Sequence, residues 1–262
     1  MKRYLPLLLL GAVAACKNGE NGQENGDKPQ PPASISYSIV RTYPHDTASF
    51  TQGLVIYKGK LYEGTGEYGH SKVLRVDLKS GNIEKQVALD KRYFGEGITI
   101  LNDTVYQLTW QNNVVFVYTL PDFKKVKELP LQTQGWGITT DGNQLIVSDG
   151  SSTLYYYQPG NFSLIRKQEV TEGGSFAFNL NELEYIDGYV YANQWQAPYI
   201  LKIDPGTGKI VAKADLTEVW DRVRAREKKA DVPNGIAYDT ASKKMYVTGK
   251  FWPELYEIQF SQ

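Results

Sequence analysis

Phe94-Gly95-Glu96-Gly97-Ile98-Thr99 sets one carboxylate between two glycines, where a short apolar run from Ile98 to Leu101 begins. Glycine permits a tight backbone turn into a strand and leaves the neighbouring side chain unshielded. Related strand starts recur: Phe50-Thr51-Gln52-Gly53-Leu54, Gly135-Trp136-Gly137-Ile138-Thr139 and Pro233-Asn234-Gly235-Ile236. Asn181-Glu182-Leu183 fills the remaining gap. Each start carries a different polar or aromatic residue. A repeated scaffold with a non-repeated residue set describes a site assembled from several repeats.

Working outward, five units begin near Phe50, Phe94, Gly135, Asn181 and Pro233. Their second strands align at Leu61-Tyr62-Glu63, Val105-Tyr106-Gln107, Leu145-Ile146-Val147, Val190-Tyr191-Ala192 and Met245-Tyr246-Val247. Turns such as Lys58-Gly59, Ser80-Gly81, Asp141-Gly142 and Asp187-Gly188 separate the strands. Units of roughly 40 residues with four strands each are the signature of a β-propeller. The expected fold is all-β, a five-bladed β-propeller over residues 34–262. The fifth unit runs out after three strands at Gln259-Phe260, so the unassigned strand Ile35 to Val40 is expected to close the ring. An open pair of sheets is the competing arrangement. One helical insert is expected at about 216–230, where Leu216, Val219, Trp220 and Val223 fall at helical spacing.

Lys+Arg and Asp+Glu both number 29, a balance that gives nucleic acid no basic surface to bind. The 19 tyrosines, 24 glycines and 12 prolines suit many short strands and turns. Residues 1–16 read as a lipoprotein signal peptide: Lys2 and Arg3, an apolar run from Leu5 to Val13, then Ala14-Ala15-Cys16. Cys16, the only cysteine, is the expected lipidated first residue of the mature protein, placing it in the bacterial cell envelope on the periplasmic or surface side. Cleavage as an ordinary signal peptide is the alternative. Residues 17–33, rich in Gly, Asn, Glu and Pro, read as a flexible tether.

Propeller geometry sorts the candidate site residues. The innermost strand of each blade starts at the rim where the antiparallel second strand ends. The first set is Gln52, Glu96, Trp136, Glu182 with Asn181 beside it, and Asn234; the second is Gly66, Trp110, Gly150, Trp195 and Lys250. Both sets converge on one mouth of the channel. A single tryptophan there could plug the channel as core. Three of them around a glycine-flanked glutamate point to a ligand pocket.

Other motifs recede. Gly64-Thr65-Gly66-Glu67-Tyr68-Gly69 matches a dinucleotide fingerprint, but a strand follows it instead of a helix. His45 and His70 are the only histidines and lack ligand or relay spacing to other site residues, which argues against catalytic zinc and a Ser-His-Asp relay. Carboxylate, amide, lysine and indole chemistry remains.

At these residues the chain resembles the glutamine cyclotransferase family of the plant and bacterial type, five-bladed propellers that convert N-terminal glutamine of peptides to pyroglutamate with release of ammonia. The matching segments include Phe-Thr-Gln-Gly-Leu at 50–54, Tyr-Phe-Gly-Glu-Gly-Ile-Thr at 93–99, Gly-Trp-Gly-Ile-Thr-Thr-Asp-Gly at 135–142, Leu-Asn-Glu-Leu-Glu-Tyr at 180–185 and Val-Thr-Gly-Lys-Phe-Trp-Pro at 247–253. The resemblance implies Glu96 as the acid/base. It places Phe50, Gln52, Phe94, Trp110, Trp136, Asn181, Trp195 and Lys250 around the substrate. It also implies no metal or organic cofactor and peptide or protein substrates with N-terminal glutamine; the chain is expected to be a monomer. The competing functions are a non-catalytic propeller binding a peptide or glycan, and a structural envelope lipoprotein with a plugged channel.

Overall fold

The computed structural model describes residues 30–261. The signal peptide, Cys16 and nearly all of the expected tether lie outside the described residues. Five blades, each with four antiparallel strands, succeed one another along the chain. Blade one is built from Thr51–Tyr57, Lys60–Thr65, Lys72–Val76 and Ile83–Ala88, and blade two from Gly95–Leu101, Thr104–Thr109, Val114–Thr119 and Lys124–Pro130. Blade three comprises Ile138–Thr140, Leu145–Ser148, Thr153–Tyr157 and Leu164–Glu169. After a small hairpin (Thr171–Glu172 with Ser175–Phe176), blade four runs through Leu180–Ile186, Tyr189–Gln194, Tyr199–Ile203 and Ile210–Asp215. Blade five has Pro233–Asp239, Lys244–Gly249 and Glu254–Phe260, and its outer strand is Tyr37–Pro44. The ring is therefore closed by the N-terminal strand, pairing Tyr37 with Phe260 through Pro44 with Glu254.

The closing segment differs from expectation in one respect. The run read as a single strand from Ile35 divides at Ser36. Ala33–Ile35 pairs in parallel with Ala212–Ala214 at the edge of blade four, while Tyr37–Pro44 completes blade five. One short segment thus binds two neighbouring blades, and Ala33, placed by the sequence reading in the tether, belongs to the sheet.

Burial follows strand position. The two inner strands of most blades are buried along almost their whole length, as in Thr51–Tyr57 and Thr104–Thr109, whereas Ile83–Ala88 and Lys124–Pro130 are largely exposed. Apolar residues of adjacent blades interleave: Ile236, Val247 and Tyr256 of blade five pack with Ile186, Tyr191 and Ile200 of blade four. Each fully buried aliphatic side chain of this kind contributes about 1.5–3 kcal/mol relative to exposure. At the channel the inner strands touch backbone to backbone. A Cβ on Gly97 would meet the Trp136 carbonyl at 2.6 Å, and one on Gly137 the Asn181 carbonyl at 2.0 Å. The shared glycine frame is the condition for closing the ring.

The helix spans Thr217–Arg226, shorter than the expected 216–230. Val219 and Val223 bury one face beside Leu216, and Asp215 accepts the Thr217 N–H at 2.9 Å at its start. Glu218 in the first turn and Arg224 and Arg226 in the last complement the helix dipole. Glu227 turns extended, and the charged run that follows carries the chain back to the rim instead of continuing the helix.

Candidate active site

Phe50, Gln52, Phe94, Glu96, Trp110, Trp136, Asn181, Trp195 and Lys250 line one cavity of about 290 Å³, joined by Asp231. All the residues selected from the sequence for the pocket therefore come together. Asp231 was missed. It precedes blade five by two residues and reaches the mouth because its N–H bonds the Lys250 carbonyl at 2.9 Å, a pairing with no local sequence signal.

The inner strands aim their polar side chains by bulges. Pairing with the second strand slips between Thr51 and Gly53, between Gly95 and Ile98, and between Leu180 and Leu183. A bulge bends the strand and redirects a side chain. Here the redirected residues are Gln52, Glu96 and Asn181. The frame residue of blade four is thus Asn181. Glu182 stands in the glycine position, where its two carboxylate oxygens accept the N–H groups of Leu54 at 3.1 Å and Ile236 at 2.8 Å. Asn234, also expected at the rim, lies behind it: its amide donates to the Thr51 carbonyl and to Gln52 Oε1 at 3.1 Å. That bond fixes the Gln52 amide and turns its NH2 outward as a donor.

The second-strand residues supply walls. Phe94 meets Phe50 at 6.0 Å and Trp110 at 5.7 Å between ring centroids, and Trp136 meets Trp195 edge-on at 5.4 Å. Gly66 and Gly150, in the same frame as Trp110 and Trp195, leave room for these rings. A Cβ there would strike Phe94 at 2.5 Å and Trp136 at 2.6 Å respectively. Gln52, Glu96, Asn181 and Lys250 are each nearly fully buried, whereas the rings are more open, so a polar floor lies beneath aromatic walls.

Electrostatics single out Glu96. Burial pushes its carboxyl well above the usual range, and the Lys250 charge opposes this only in part. Among the described residues none donates a hydrogen bond to it. Lys250 is pulled down by burial and held up by Glu96 and Asp231, and its ammonium lies 4.4 Å from the centre of the Phe50 ring. Asn181 lines the cavity, and its Oδ1 is buried without a hydrogen-bond partner. Glu63 and Glu182, the other glutamates near the rim, are occupied and do not line the pocket. Glu63 accepts from Thr51 at 2.7 Å and faces His45 Nε2 at 3.2 Å. His45 is therefore beside a carboxylate after all, brought there by the fold. Gly64 and Thr65 end the strand Lys60–Thr65, and residues 66–71 turn into Lys72–Val76, a strand where the fingerprint would need a helix.

Fold and pocket together define a class: a five-bladed propeller with one ligand-sized site at the channel mouth, its floor holding a single unpaired buried carboxyl. The family model described as glutamine cyclotransferase matches residues 7–260. The glutaminyl-peptide cyclotransferase of Arabidopsis thaliana is 41% identical over 228 residues, covering 86% of this chain and 71% of the relative. The crystal structure of Myxococcus xanthus glutaminyl cyclase superposes with a TM-score of 0.83 at 31% identity, covering 88% of this chain and 98% of that one. The chain belongs to the glutamine cyclotransferase family.

Proposed function

We propose that the pocket converts the N-terminal glutamine of a peptide or protein to pyroglutamate with release of ammonia, with Glu96 as acid/base and no metal or organic cofactor. The observation that carries this reading is the Glu96 carboxyl: on the pocket floor, buried, without a hydrogen-bond donor, and raised well above the usual range by burial, so that it holds a proton more readily than an exposed carboxylate. The free α-amine has a pKa of roughly 7.7–8.0, so part of it is neutral at pH 7. It attacks the side-chain carboxamide carbon of its own residue, and the ring C–N bond forms. The amine proton passes to the Glu96 carboxylate. The resulting acid delivers it to the carboxamide nitrogen, the old C–N bond breaks, and ammonia leaves with Glu96 ionised again.

Ring closure is intramolecular, so the pocket's contribution is to hold the attacking conformer; effective molarities in such reactions reach about 10⁵–10⁸ M. Asn181 lines the pocket beside Glu96 and helps position the glutamine side chain. The Gln52 NH2 and the Lys250 ammonium stabilise the oxyanion. The indoles exclude water, favouring cyclisation over hydrolysis. Glu96→Gln keeps the shape and removes the proton carrier. It is expected to lower kcat by about 100- to 10,000-fold with KM little changed, measured as ammonia release from a Gln-initiated dipeptide. Near-normal turnover by the folded variant would exclude Glu96 as the acid/base.

The same reading extends to location. Cys16 carries a lipid, residues 17–32 tether the monomeric propeller to the cell envelope, and catalysis needs neither. What supports this is the run Val13-Ala14-Ala15-Cys16 after a short apolar segment. Cys16→Ser should move the protein from the membrane to the soluble fraction at unchanged activity; a variant that stays with the membrane refutes the anchor.

A further inference from the structure

Exposed large hydrophobic side chains among the described residues fall into two groups. Val40, Ile83, Val126, Ile165 and Val211 are aliphatic and sit one on the fourth strand of each blade. Scattered singly in this way, they are ordinary surface residues. The aromatic ones are Tyr68, Phe176 and Phe178, at 50%, 59% and 56% exposure, and all three lie at the end of the ring that holds the pocket. Tyr68 meets Phe94 edge-on at 5.3 Å and prolongs that wall outward. Phe178 adjoins the other wall. Its neighbour Asn179 accepts the Trp195 N–H at 2.8 Å and donates to the Gly150 carbonyl at 2.9 Å, beside Trp136.

The two phenylalanines are presented, not merely uncovered. Phe176 ends and Phe178 follows the Thr171–Glu172 and Ser175–Phe176 hairpin, whose two-residue turn is Gly173-Gly174 at positive φ. The hairpin is tied down at its base. Val170 is fully buried and donates to the Ser152 carbonyl at 2.7 Å, and Ala177 donates to the Val170 carbonyl at 3.0 Å. Lys213 holds Glu172 at 3.1 Å. Extended alternation then turns Ala177 into the core and Phe176 and Phe178 to the outside, with ring centroids 6.5 Å apart. A fixed scaffold that shows two adjacent aromatic rings to solvent, contiguous with an aromatic pocket, has the form of an extended binding surface.

We propose that Phe176 and Phe178 form an outer subsite that takes an apolar or aromatic side chain of the substrate peptide within the few residues after its N-terminal glutamine. The inference rests on peptide cyclisation as the function of the pocket. An extended peptide advances about 3.3–3.6 Å per residue. A chain leaving the pocket across Trp195 therefore meets the hairpin within a few positions. Continuity with the Trp136–Trp195 wall favours the substrate chain over a lipid surface as the occupant.

The test uses the full protein and its Phe176→Ser/Phe178→Ser variant; both sites are exposed, so the fold is retained. Substrates are the dipeptide Gln-Ala and pentapeptides beginning with Gln that carry Phe, Ala or Glu at one of positions two to four. Wild type is expected to favour the best-placed Phe peptide over its Ala counterpart by about 3- to 10-fold in kcat/KM, through KM. The variant is expected to lose this preference and to turn over Gln-Ala at the wild-type rate. Kd values of the matching pyroglutamate-initiated pentapeptides should show the same preference without any turnover. Inactivity of wild type on every Gln peptide, with the Kd preference intact, would overturn cyclisation but leave the subsite standing. Equal Kd and kcat/KM across the pentapeptides in wild type would overturn the subsite, as would a variant equally impaired on Gln-Ala. So would a defect confined to binding of phosphatidylglycerol–phosphatidylethanolamine vesicles.

Discussion

His45 has 4% of its side chain exposed, and both ring nitrogens face acceptors: Nδ1 the Trp252 carbonyl at 2.7 Å and Nε2 the Glu63 carboxylate at 3.2 Å. A ring flanked by two acceptors is best satisfied with a proton on each nitrogen. Burial pulls its pKa down, but Glu63, the two hydrogen bonds and Asp46 outweigh it and the net shift is upward. A raised folded value means a stabilisation that is complete below the free value of about 6.5 and lost as pH rises through the folded one. The carbonyl it holds belongs to the loop that begins at Lys250, and the His45 N–H also bonds Pro253 O at 2.9 Å. His45 thereby braces the Lys250 side of the pocket without touching it. His45→Ala leaves Glu63 buried opposite an empty space and is expected to cost about 3–5 kcal/mol in urea unfolding at pH 6. His45→Gln, which restores one donor, should cost clearly less. Equal stability of the Ala variant and wild type would show that the pair contributes nothing.

At the level of elements, the parts that repeat were legible and the parts that occur once were not. Glycines 53, 97 and 137 recur because neighbouring backbones pass too closely for a Cβ, and Gly235 because its φ of +117° suits glycine, so the sequence pattern carries the geometry directly. The bulges that aim Gln52, Glu96 and Asn181 follow the same frame, and the pocket floor could be read from it. The closing segment could not. Ile35 and Tyr37 alternate as one strand would, and nothing local records that Ala33–Ile35 runs parallel to blade four while Tyr37–Pro44 runs antiparallel to blade five. Asp231 and the His45–Glu63 pair escaped for a related reason. Each depends on a contact between segments distant in sequence, and neither has a residue spacing that announces it. The helix end was overrun because the charged residues after Arg226 suit a solvated helix as well as a loop; the extended Glu227 decides the matter.

The ring is held across its channel by two carboxyl groups of blade four, Glu182 fully buried and Glu184 half-buried. Glu182 of blade four accepts N–H groups from blades one and five, and Glu184, two residues on, accepts the Tyr238 N–H at 2.9 Å and faces Thr139 at 3.3 Å. Burial raises Glu96, Glu182 and Glu184, and raises Glu184 to about 8. Glu182 feels Glu184 as well, while its two backbone donors pull it back. The sign follows from proton counting. Between the ordinary carboxylate value of 4.5 and the raised one, the folded state binds more protons than the unfolded chain. Stability therefore falls as pH rises, by about 1.4 kcal/mol per pH unit for each such proton. Urea midpoints of the wild type are expected to drop steadily between pH 5 and 8. Glu184→Gln is neutral in both states and keeps an acceptor for the Tyr238 N–H. Its unfolding free energy should decline less steeply over that window, by up to one proton's worth of slope. The measurement is a set of urea titrations of both proteins at pH 5, 6, 7 and 8. Parallel stability curves would place the Glu184 proton outside the window and remove this carboxyl from the pH response of the propeller.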